Sequence, residues 1–129
     1  MRRAANEVVD YMLMVDEAPL PDRVSGTSGF AAMFAAQGPA DRRGRSLRQL
    51  DLSTRLLRYP CSYMIYAEAF DALPREARDA VYRRMWRVLS GDETGARYAK
   101  LSAADRRAIV EILRDTKNTL PTYFQPIAR

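Results

Sequence analysis

The chain has 129 residues, 47% hydrophobic and 29% charged, with a formal net charge of +5, the profile of one ordinary globular domain rather than a disordered segment. It contains no histidine and one cysteine, which excludes Ser-His-Asp and Cys-His catalysis, histidine-bearing zinc sites and any internal disulfide. Its longest apolar run, residues 30–36, falls far short of the ~20 apolar residues a membrane-spanning helix needs.

The charge is unevenly placed. Residues 1–22 are acidic on balance, whereas residues 23–58 hold seven arginines against Asp41 and Asp51. A basic region of this kind attracts anionic partners without specifying which. Met1-Arg2-Arg3 is followed at once by Glu7 and Asp10, which breaks the apolar stretch of a signal peptide. As given, the chain is expected to be soluble and to carry no address.

The first helix is expected over residues 4–18, where Ala5, Val8, Val9, Met12, Leu13 and Val15 form one apolar face. Glu7, Asp10 and Glu17 lie on another face, with Met14 among them. No capping residue precedes Ala4, which fits either fraying or a segment cut from a longer protein. Pro19 and Pro21 stop this helix, and Ser25-Gly26-Thr27-Ser28-Gly29 makes a turn. Residues 30–37 read as a short buried helix, with Thr27 or Ser28 as its cap and Gly38-Pro39 as its end.

Residues 40–45 are a basic loop, and Ser46 can cap a helix over residues 47–58. Residues 61–72, apolar on most sides, are placed in the interior as a helix, with a short strand at Met64, Ile65 and the tyrosines as the alternative. Pro74 suits a first helical position, and a helix follows to Ser90 with Gly91 as its stop. Ala77, Val81, Met85, Val88 and Leu89 form its core stripe, widened by Tyr82 and Trp86. Ser102 to Asp105 resembles a capping box for a last helix over residues 103–117, packed through Ala108, Ile109, Ile112, Leu113 and Thr116. Leu120, Tyr123 and Phe124 in the tail can dock back. The fold class is therefore all-α, an irregular bundle of five or six helices with long loops in one domain over residues 1–129.

Several polar groups invite a functional reading. Gly26, Thr27, Ser28 and Gly29 run into a helix, a pattern whose backbone N–H groups can converge on an anion, and Arg42, Arg43 and Arg45 can complete such a site. The lysine and spacing of a nucleotide-binding P-loop are missing, and a turn with a helix cap is the simpler reading. Arg48, Arg55 and Arg58 extend the basic segment, and Tyr59 and Tyr63 can stack on bases. No zinc-finger or other nucleic-acid-binding signature accompanies them. Arg83, Arg84 and Arg87 form a second cluster, read as a solvated face because Asp79 and Arg83 have the spacing of a helical ion pair. Cys61 is expected to be buried and inert. Asp16-Glu17 and Asp92-Glu93 are the adjacent carboxylate pairs, without the spacing of a calcium loop.

Arg58 to Tyr66 (RYPCSYMIY), Phe70 to Pro74 (FDALP), Val81 to Arg84 (VYRR), Val88 to Asp92 (VLSGD), Leu101 to Arg106 (LSAADR) and Glu111 to Lys117 (EILRDTK) together resemble the C-terminal region of a group of larger uncharacterised bacterial proteins. The resemblance implies an upstream portion beyond this chain and leaves open an exported, cell-envelope parent. It implies no chemistry and transfers no catalytic residue.

The leading expectation is a non-catalytic helical interaction or accessory module with a protein partner or an upstream domain, its interface sought at Met14, Tyr59 and Tyr63. The alternative is anion or nucleic-acid binding through residues 25–58, and a carboxylate-based enzyme comes third. No cofactor or metal is expected.

Overall fold

A computed structural model describes residues 2–13, 33–34, 36–49, 58–92, 98, 101–117 and 119–126. Among them the protein is all-α: α1 (Arg2–Met12), α2 (Glu68–Asp71), α3 (Arg75–Leu89) and α4 (Ala103–Thr116), with a 3-10 turn at Tyr63–Tyr66 and no strand. The rest of the expected five or six helices falls largely outside the described residues.

Helix α3 is the central element, packed against both α1 and α4. Its Val81, Tyr82, Met85, Val88 and Leu89 are buried, as their spacing requires. Pro74 stands one place earlier than expected, at the cap with ψ 142°, where its missing N–H costs nothing. At the other end Gly91 adopts φ +91° and its N–H reaches the carbonyl of Val88 at 3.3 Å. That left-handed position favours glycine and ends the helix.

Ser102 caps α4, its Oγ accepting the N–H of Asp105 at 3.0 Å. The Asp105 carboxylate meets Arg58 at 3.6 Å. Ala108, Ile109, Val110, Ile112 and Leu113 then face the core. The fully buried Ile109, Val110, Ile112 and Leu113 side chains each contribute about 1.5–3 kcal/mol. Val9 and Met12 from α1, and Leu13 just beyond it, close the core from the other side.

Three segments depart from the expectation. The first helix begins at Arg2 and Leu13 lies in a turn, the expected residues 14–18 being outside the described set. The buried helix over 30–37 survives as helical Met33, Phe34 and Ala36, but Met33 is 57% exposed and Ala36 is exposed too. Leu47 and Arg48 form a turn instead of starting a helix over 47–58. Ser46 does take a capping role there: its Oγ accepts the N–H of Arg48, and its own N–H donates to Gln49 Oε1.

Residues 61–72 are not one interior helix. The chain breaks at Ala67, whose φ −67° and ψ 145° are extended, leaving the 3-10 turn before it and α2 after it. The reason is geometric. Ile65 and Phe70 both reach the core, and residues five apart do not share one face of a continuous α-helix. The strand alternative is likewise not adopted.

The tail docks through Phe124, whose ring packs 5.9 Å from Tyr82 and 5.3 Å from Trp86. Arg114 secures it by donating Nη1 to the Phe124 carbonyl at 2.5 Å. Lys117, buried at the end of α4, donates to Asp71 at 2.7 Å and ties α2 to α4.

Candidate functional site

The arginine loop folds around an anion of its own. Asp41 and Gly44 bracket a turn closed by the Gly44 N–H to the Asp41 carbonyl at 3.0 Å, with Gly44 at φ +79°. The Asp41 Oδ1 accepts the N–H groups of Arg43 at 2.9 Å and Arg45 at 2.7 Å. Its Oδ2 takes the guanidinium Nε of Arg45 at 2.7 Å. Backbone donors plus a guanidinium do converge, as the sequence suggested for an anion site, but the carboxylate they hold belongs to the chain. Burial by itself would raise the Asp41 carboxyl pKa; the Arg45 N–H, its guanidinium and the Arg43 N–H outweigh burial and hold it below the usual range.

The same loop is fastened to α4. Arg45 Nη2 reaches Glu111 Oε1 at 2.9 Å and Arg43 approaches it at 4.0 Å. The Arg42 N–H donates to Asp115 at 3.0 Å and its Nε lies 3.4 Å from the same carboxylate. Burial works against the Arg45 charge, yet Glu111 and Asp41 raise its pKa further. Arg45 is thus spent on internal pairs, while the Arg42 and Arg43 side chains remain 90% and 74% exposed.

Arg48 is sandwiched between aromatic rings. Its guanidinium carbon lies 3.9 Å from the Phe34 centroid and 4.5 Å from that of Tyr63. Nε donates to the Phe34 carbonyl at 2.9 Å and Nη2 to Gln37 Oε1 at 3.1 Å. Tyr63 is therefore half-buried in a cation–π stack rather than open for a base or a partner. Tyr59, expected at a partner interface, is a core residue at 8% exposure. A γ-turn around Pro60, closed by the Cys61 N–H to the Tyr59 carbonyl at 2.7 Å, turns both Tyr59 and Cys61 inward. Cys61 is fully buried, and burial pushes its thiol up to about 12. Gly26, Thr27, Ser28, Gly29, Met14 and Arg55 lie outside the described residues.

The second basic cluster divides by depth. Arg84 turns inward and donates Nη2 to the Tyr98 hydroxyl at 2.6 Å, which in turn donates to the buried Asp10 at 2.8 Å. Arg83 and Arg87 stay exposed beside half-buried Trp86. Asp79 pairs not with Arg83 but one turn back with Arg75, at 4.0 Å. Asp79, Arg83, Arg84, Trp86 and Arg87, with Glu76, Ala80, Asp92, Asn6 of α1 and Tyr123 of the tail, line a groove of ≈ 710 Å³. Sequence spacing identified the arginines but not the groove, because Asn6 and Tyr123 enter from distant parts of the chain.

Among the described residues no group of three or more Cys, Asp or Glu side chains is gathered as a metal site. No helix among them is long and apolar enough to cross a membrane. No known protein family, curated protein or solved structure matches the chain.

Proposed function

We propose that the chain is a non-catalytic helical interaction module that engages a protein partner, or an upstream domain of a longer parent, through the outer face of α1. The observation that supports this reading is the exposure of that face: Val8 is 43% and Tyr11 85% exposed. With exposed Ala4, they follow one another at spacings of four and three, the anchor pattern of a helix laid into a partner groove. Single exposed apolar residues are ordinary; two large ones aligned on one helix are the informative case. Tyrosine supplies large contact area at small entropic cost, which is why it is enriched at interfaces. Met14, three residues further on, continues the series in sequence.

The test is capture of partners from native extract by the wild-type chain and by Tyr11→Glu. Ala104→Glu, at an exposed position on α4, serves as the control. Loss of a partner with Tyr11→Glu alone supports the reading, and identical capture by all three chains overturns it.

Anion or nucleic-acid binding through residues 25–58 is the second reading, supported by the exposed guanidiniums of Arg42 and Arg43. It is weakened by Asp115 and Glu111, which already lie against them.

A further inference from the structure

Where α3 borders the groove, at the margin of the core, it carries charged side chains whose pattern the core packing does not explain. Glu76, Ala80, Arg83 and Arg87 succeed one another at spacings of four, three and four, which aligns them in one stripe along the helix. Asp79 stands beside the acidic end, so the stripe is negative toward its N-terminus and positive toward its C-terminus. Glu76, Arg83 and Arg87 are exposed, and none of their side chains forms an ion pair or hydrogen bond among the described residues. The helix dipole rationalises Glu76 and Arg87, which sit in the first and last turns. It does not rationalise Arg83 in the middle, and Asp79 is met only by Arg75, at 4.0 Å.

We propose that this stripe is a two-fold interface in which α3 packs antiparallel against α3 of a second copy of the chain. Turning the helix end for end about an axis between Ala80 and Arg83 sets Glu76 against the partner's Arg87. It also sets Asp79 and Ala80 against the partner's Arg83. Ala80 is small enough to admit the aliphatic stem of that arginine. By symmetry every pair occurs twice, the self-complementarity a two-fold dimer demands. A parallel arrangement would set Glu76 against the partner's Glu76 and arginine against arginine, so the pattern discriminates between orientations. Trp86 and the 38% exposed Tyr123 flank the stripe in the ≈ 710 Å³ groove and supply apolar area that the ion pairs lack. Exposed ion pairs are individually weak and screened by salt, so the association is of the modest, salt-sensitive kind.

The experiment is sedimentation velocity of the full chain over a concentration series, at low and high salt. Wild type should form a dimer that dissociates as salt rises. Glu76→Arg and Arg87→Glu should each weaken association at least tenfold, with the helical circular dichroism unchanged. An equimolar mixture of the two variants should restore the dimer, because one now presents two cations and the other two carboxylates. That restoration also shows that both variants are folded. A monomer at every concentration up to about 1 mM, charge reversals without effect, or a mixture that fails to recover would each overturn the proposal. The α1 face is untouched by these changes, so this outcome and that of the Tyr11 test are read separately.

Discussion

Arg45 holds the buried carboxylate of Asp41 through Nε at 2.7 Å and through its own backbone N–H at the same distance. Its other end reaches Glu111, 66 residues away, at 2.9 Å. One guanidinium thus shapes the 41–45 loop and nails it to α4.

Removing the cation should be costly, because it strands a carboxylate with no solvent to take its place. Arg45→Met should destabilise the fold by about 3 kcal/mol, the range for breaking a buried pair, measured as a shift in the urea midpoint. The loop also sets an acid limit. The Asp41 carboxyl is held below its ordinary value, so its contribution is fully present above the unfolded pKa of about 3.9. It is lost as pH falls through the lower folded value. Arg45→Met should flatten that acid-side decline. An unchanged profile would mean the clamp contributes nothing.

Cys61 should label slowly with a thiol reagent in the native state and quickly in denaturant. Its thiol is raised to about 12, and the Tyr66 hydroxyl, half-buried and bonded to Thr116, is likewise raised to about 12 by its partial burial. Between the ordinary thiol value of about 8.5 and 12 the unfolded chain has lost a proton that the folded chain keeps. Stability should therefore fall as pH rises through that window. Fast labelling of the native protein would contradict the burial.

Gly38 is fitted to the Arg48 sandwich: a Cβ there would collide with Cδ and Cγ of Arg48. Gly38→Ala should push the guanidinium off Phe34 and Tyr63 and cost about 1–3 kcal/mol, as overpacking does. Thermal unfolding measures it, and Arg48→Ala in the same background should recover part of the loss. An additive double variant would show that the two positions are uncoupled.

Phe124→Ala should cost about 3–5 kcal/mol and shift Trp86 fluorescence to longer wavelength, since the two rings lie 5.3 Å apart. Stability lost without a spectral change would place the damage elsewhere.

Nucleic-acid binding at physiological salt should stay no tighter than the micromolar range typical of non-specific contact. Arg42→Ala with Arg43→Ala should flatten whatever salt slope is seen. Sub-micromolar binding that depends on these two residues would promote the second functional reading over the first.

Helices α3 and α4 were legible in the sequence because what makes them is local. The spacing of Val81, Met85 and Val88, the stop at Gly91 and the cap at Ser102 act within a few residues. The burial of Cys61 followed from its apolar neighbours in the same way. Tertiary structure alone decided the fate of the polar groups. Arg45 could be assigned to an external anion as long as Glu111 was distant in sequence and Asp41 was merely one loop residue. Tyr59 was free to face a partner until the turn at Pro60 sent it inward, and Asn6 and Tyr123 meet at the α3 groove only after packing. A helical period repeats along the chain and can be read from it, whereas charges and rings choose partners by distance in space, which the order of residues does not encode.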